Sequence, residues 1–231
     1  MRNVEGDQPD HEVSTPATSR EQDAVRLLLL IDGAAEPLHS PAPEPALAEA
    51  VGVLTGQTRL QKLDFWLRSP DFLADELLNE YERTAEGELL VLAGRILDSE
   101  EPEVRRYPML RHHFGAYEPL DDALAVLRSA GLIVRRRRGR VGHTRRHDYF
   151  LLARGRRVAR TIVARAPTFR YYVDRVRLVL DLADGRGGTE LRDRQYLQAE
   201  YASTRRGAPI ATITERVRDR LARLRAAPAV A

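Results

Sequence analysis

LIVRRRRGRVGHTRRHDYFLL, residues 132 to 152, is the stretch on which the reading of the fold turns. Two short runs with apolar ends, Leu132 to Arg138 and Arg145 to Leu152, enclose Gly139, Gly142 and Thr144, the pattern of a β-hairpin with a glycine-containing loop. Just upstream, Pro119 to Gly131 reads as an amphipathic helix: proline suits its first turn, Leu120, Ala123, Leu124 and Leu127 form a stripe, and Gly131 ends it. Helix, tight turn and hairpin in this order predict a winged helix-turn-helix core in a mainly α protein whose β structure is a small hairpin.

The hairpin is also the most basic part of the chain, with seven arginines. Residues 1 to 103 hold 8 basic and 22 acidic side chains, residues 104 to 170 hold 17 and 4, and residues 171 to 231 hold 12 and 8. An arginine-rich composition with a single lysine, Lys62, accounts for arginine over lysine but not for this clustering. Arginine donates two hydrogen bonds from a planar fork and so suits phosphate. The candidate nucleic-acid contacts are therefore Arg135, Arg136, Arg137, Arg138, Arg140, Arg145 and Arg146, with Arg156 and Arg157 on the helix that follows. Two alternatives stay open: an exposed basic hairpin with no ligand, and one that pairs with the acidic surface of residues 71 to 103.

The preceding helix limits what such contacts can do. Asp121 and Asp122 occupy its first turn, where they favour the helix dipole but repel phosphate, and it offers only Arg128, Ala125 and Ser129 to a groove. Base reading by the start of a recognition helix needs arginine, asparagine or glutamine. The expectation is backbone contact without sequence preference.

Upstream, residues 1 to 19 are polar and are expected to be disordered. Ser19 can cap a helix over Arg20 to Asp32 that ends at Gly33 and buries Leu27, Leu28 and Ile31. Four prolines mark residues 33 to 45 as a surface connection, and Ala46 to Leu54 reads as a short helix. Leu60, Leu63, Leu67, Phe65 and Trp66 predict a deeply packed helix ended by Pro70. The next helix, over residues 70 to 83, carries Asp75, Glu76, Glu80 and Glu82 on an outer face read as solvated or as a partner surface. A further helix is expected over Glu88 to Asp98, and Arg105 to Gly115 reads as an edge strand that completes a three-stranded sheet with the hairpin.

Downstream, helices are expected over Ala153 to Arg165, Thr168 to Ala183, Thr189 to Tyr201 and Ala211 to Arg225. The last carries Ile213, Val217, Leu221 and Leu224 as a stripe that covers the core or dimerises. The organisation is thus a tail (1–19), an N-terminal helical region (20–103), the second half of the winged helix with its wing (104–152) and a C-terminal helical region (153–231).

Catalytic chemistry finds no support. Cysteine is absent, which excludes thiolate metal sites and cysteine nucleophiles. His112, His113, His143 and His147 lack a completing carboxylate at ligand spacing, and Gly185 to Gly188 lacks the strand and the lysine of a phosphate loop. No catalytic residue, cofactor or metal is expected. The polar start lacks the basic and apolar segments of a signal peptide, and Leu27 to Ile31 is too short to span a bilayer, so a cytoplasmic location is expected.

Two stretches carry a resemblance: TRLQKLDFWLRSPDFLADEL (58–77), and RRYPMLRHHFGAYEPLDDALAVLRSAGLI (105–133) leading into the hairpin. They resemble prokaryotic winged-helix proteins with an RLQKL helix and an aromatic-glycine turn before an LxxLxxxGLI helix. Within that group the chain is most similar, over roughly residues 20 to 200, to the small middle components of three-component systems built around an SMC-like ABC ATPase and directed against phages or plasmids. The matching residues are Arg59, Leu60, Lys62, Leu63, Phe65, Trp66, Pro70, Leu73, Tyr107, Pro108, Gly115 and Tyr117, while His113 and Ala116 depart from the pattern. The resemblance implies a non-enzymatic adaptor that works on DNA beside the ATPase and a further system component. A winged-helix transcriptional regulator acting as a homodimer, and a protein-only adaptor or antitoxin, are the alternatives.

Overall fold

A computed structural model describes residues 19–38, 44–100, 110–112, 115–117, 120–139 and 146–227. The chain is mainly helical, with a four-stranded antiparallel sheet and a separate two-stranded one. Its elements are α1 (Arg20–Ala34), β1 (Glu36–Pro37), a 3-10 turn (Pro45–Leu47), β2 (Ala50–Thr55), α2 (Gln57–Arg68), α3 (Pro70–Thr84), α4 (Gly87–Asp98), β3 (Leu110–His112), β4 (Gly115–Tyr117) and α5 (Asp121–Ser129). The hairpin strands β5 (Ile133–Arg138) and β6 (Arg146–Leu152) come next. They are followed by α6 (Ala153–Arg165), a 3-10 turn (Pro167–Phe169), α7 (Arg170–Ala183), α8 (Gly188–Tyr196), α9 (Ala199–Ser203) and α10 (Thr214–Ala226).

The start of α1 follows from its capping box: Ser19 Oγ accepts from Gln22 N at 3.2 Å, and Gln22 Oε1 accepts from Ser19 N at 3.0 Å. Gly33 lies inside α1 and does not terminate it. It is small because α7 passes there: a Cβ at Gly33 would meet Val176 Cγ1 at 2.6 Å.

Residues 46–54 are a correction. The short helix expected there is the 3-10 turn and strand β2, which runs antiparallel to β6 with Val53 opposite Phe150 and Thr55 opposite Asp148. The sheet order is β1-β2-β6-β5, so the third strand beside the hairpin comes from this segment. The strand expected at Arg105 to Gly115 does not fill that place. Leu110–His112 instead pairs with Gly115–Tyr117 in the two-stranded sheet, and residues 101–109, with Tyr107 and Pro108, lie outside the described residues. Burial selected the outcome: β2 lies where Leu54 is fully buried and Asp148 can accept from Gly56 N at 3.2 Å, closing the strand onto α2.

One apolar cluster runs from Ala24 in α1 to Leu221 in α10, drawing on all three chain segments that follow the N-terminal tail. α2 sits at its centre, buried continuously from Leu60 to Arg68 and packed against α1, α3, α7, α8 and the sheet. A helix buried on every side must satisfy its charges internally. Asp64, fully buried, accepts from Arg26 Nε of α1 at 2.8 Å, and Arg26 is also paired with Asp23. Lys62, equally buried, donates to Tyr201 Oη at 3.2 Å.

The acidic face of α3 is a second correction, since most of it is covered by other parts of the same chain, with Glu82 left half exposed at its end. Asp75 and Glu76 are buried, and arginines of the C-terminal helices close over them. Arg220 reaches Asp75 at 2.7 Å and Glu82 at 2.8 Å, Arg216 reaches Asp75 at 3.3 Å, and Arg194 pairs with Glu76 and, at 3.1 Å, with Glu80. Asp71 accepts from Ile213 N and from Thr212 Oγ1, each at 2.9 Å, fixing the entry to α10. The stripe Ile213, Val217 and Leu221 therefore packs on the core. The helix expected over Thr189 to Tyr201 is broken after Tyr196 into α8 and α9, and α10 starts at Thr214 rather than Ala211.

Candidate nucleic-acid interface

The hairpin forms with the expected strands. Arg135 stands opposite Tyr149, Arg136 opposite Asp148, Arg137 opposite His147 and Arg138 opposite Arg146. Because side chains alternate across a strand, Arg135 and Arg137 share the face that holds the core residues Ile133 and Tyr149, and Arg136 and Arg138 share the face of Asp148 and Phe150.

Most of these arginines are already answered by carboxylates within the chain. Arg135 pairs with Asp121 at the start of α5 at 2.7 Å. Arg136 pairs with Glu44 at 2.6 Å, and Arg138 lies 3.6 Å from the same carboxylate and 5.5 Å above the Phe150 ring. Arg146 pairs with the buried Asp148 of its own strand at 3.0 Å. The hydrogen bond from Arg136 holds the Glu44 carboxyl below its ordinary pKa, so the pair stays ionised at neutral pH. Burial, reinforced by Arg135 and Arg137, lowers His147, which keeps its imidazole neutral there. Arg137 alone of the described hairpin arginines is exposed with no ion pair among the described residues; Arg140 and Arg145 lie outside them. Among the described residues, the acids that meet the hairpin are thus Glu44, Asp121 and Asp148, and none of those between 71 and 100 pairs with it.

Helix α6 presents a different balance. It leaves β6 directly, held close because Gly155 lies where a Cβ would stand 2.3 Å from Leu132 O. Its sequence, ARGRRVARTIVAR, contains five arginines and no carboxylate. Arg156 turns inward to Asp32 of α1 at 3.1 Å. Arg154, Arg157, Arg160 and Arg165 are exposed and make no ion pair among the described residues. Of these, the sequence marks Arg154, Arg157 and Arg160, with Arg156, as keeping the helix basic, and only Arg157 and Arg156 as candidate contacts; the signal for Arg165 was the absence of any acidic residue across the helix.

Beside α6 a groove of about 560 Å³ opens between α1, α6 and α7, with Leu29, Val163, Val173 and Leu180 as its apolar lining and Arg160, Arg170 and Arg177 among its polar one. No group of three His, Asp or Glu side chains is placed to hold a metal among the described residues, and no described helix is long and apolar enough to cross a membrane. No family model, curated protein or solved structure matches the chain.

Proposed function

We propose that the chain is a winged-helix DNA-binding adaptor that grips the nucleic-acid backbone without reading sequence, and that α6 together with the hairpin forms the gripping surface. The observation that carries the reading is α6: four exposed arginines, no acid on the helix, and no carboxylate partner for any of the four among the described residues. Such a surface attracts a polyanion because no carboxylate among the described residues already neutralises it. The winged-helix part of the reading is supported by strand order β2-β6-β5, with α1 before β2, α2 after it, and α5 feeding the hairpin. In that arrangement α3, α4 and the β3–β4 pair are an insertion between α2 and α5.

Asp121 is exposed at the start of α5 and engaged by Arg135, so this helix end offers negative charge where a base-reading helix offers donors. Phosphate contact is therefore favoured over base contact. A role beside an SMC-like ABC ATPase rests on the resemblance of residues 58–77 and 105–133. A protein-only adaptor is the second reading, favoured by the carboxylates that already occupy Arg135, Arg136 and Arg146.

Fluorescence anisotropy with two unrelated duplexes of equal length, across a salt series, tests the proposal. Equal affinities that fall steeply with salt are expected, with a slope of about −0.9 per phosphate contact. No binding at low salt would leave the protein-only reading, and a large preference for one duplex would overturn sequence-independent contact.

A further inference from the structure

The exposed ridge of α7 carries four charges in a narrow stripe: Arg170, Asp174, Arg177 and Asp181. At 100° per residue these positions fall within an arc of roughly 60° and span about 16 Å of helix. Arg170 with Asp174, and Arg177 with Asp181, have the i, i+4 spacing at which ion pairs form within a helix. None of the four makes an ion pair among the described residues. The stripe reads plus, minus, plus, minus, and its reversal is its own complement. Laid against a second copy running the opposite way, Arg170 meets Asp181 and Asp174 meets Arg177, twice over.

The flanks of the stripe supply apolar contact. On one side Val173 and Leu180, seven residues apart, line the groove of about 560 Å³; on the other, Tyr171 and Leu178 line a second groove of about 300 Å³ with Leu92 and Ile96 of α4. The antiparallel register that pairs the charges also sets Val173 beside Leu180 of the other copy, because both pairings centre within one residue of Val176. A two-fold interface requires this self-complementarity of one patch.

We propose that α7 is a self-association helix, pairing antiparallel with α7 of a second copy through an apolar seam at Val173 and Leu180 bordered by reciprocal Arg–Asp pairs. The argument for it does not use what the basic surface binds, although Arg160 of that surface lines the same groove.

Sedimentation equilibrium of the full chain at about 100 μM, a concentration that reports even weak association, tests it. The wild type is expected to dimerise. Arg177→Asp places two like charges opposite each other at both symmetric positions and should weaken the dimer at least roughly tenfold, as should Asp174→Arg. The double variant Asp174→Arg/Arg177→Asp restores opposite charges and should recover the dimer, with circular dichroism confirming that each variant is folded. A monomeric wild type, a dimer indifferent to either single reversal, or a double variant no better than the singles would each overturn the proposal.

Discussion

Lys62, the only lysine of the chain, shows how strongly position overrides residue type here. It lies on the most buried face of α2 with its ammonium on Tyr201 Oη, and burial, reinforced by Arg192, lowers its pKa to about 8. The unfolded chain holds that proton up to about pH 10.4. Between those values the unfolded state binds more protons than the folded one, so stability rises with pH across this window, by roughly 3 kcal/mol if the whole shift is realised. Urea denaturation from pH 7 to 10 should show this rise in the wild type and its absence in Lys62→Met; parallel profiles for the two proteins would contradict it. A second residue, Glu44, competes for Arg136 and Arg138 with any phosphate. Glu44→Ala should therefore tighten binding to unrelated duplexes severalfold, since an exposed pair is worth up to about 1 kcal/mol. Anisotropy titration measures it, and unchanged or weaker binding would show that these two arginines do not touch DNA.

Among the elements, the pairing of α3 with α8 and α10 organises the C-terminal third. Asp75 is buried between Arg216 and Arg220, whereas Glu82 is half exposed beside Arg220. Removing a buried carboxylate leaves its cations uncompensated and costs about 3–5 kcal/mol; removing an exposed one costs about 1 kcal/mol or less. Urea midpoints for Asp75→Ala and Glu82→Ala should differ accordingly, and equal losses would mean that the burial of Asp75 does not matter. The sequence made the hairpin, α1, α2 and α5 legible because their apolar periods, caps and prolines are local signals. It misled at residues 46–54 because alanine and leucine there resemble a helix, while Val51, Val53 and Thr55, the β-branched sign of a strand, were outweighed. The acidic face of α3 looked solvated because, apart from Arg83 beside Glu80, its partners lie more than a hundred residues away, a distance over which neither period nor composition speaks.

Across the described residues, part of the charge imbalance seen along the sequence is answered inside the fold. The acidic N-terminal half is met at α3 by Arg194, Arg216 and Arg220, and at α1 by Arg26, itself a residue of that half, and by Arg156. The hairpin arginines are met by Glu44, Asp121 and Asp148. Among the described residues four arginines of α6 remain unanswered against one, Arg137, in the hairpin, so the centre of the candidate interface shifts from the hairpin, where arginines are densest in the sequence, to the helix behind it. Association through α7 would place two such surfaces in one particle. The most direct test of the account is the salt dependence of DNA binding by the variant carrying Arg154, Arg157, Arg160 and Arg165 all as Ala, beside the wild type. If α6 grips phosphate, the variant binds unrelated duplexes more weakly to the same extent, and the slope of log affinity against log salt becomes shallower by up to about 3.6. An unchanged slope, with circular dichroism showing an intact fold, would contradict it.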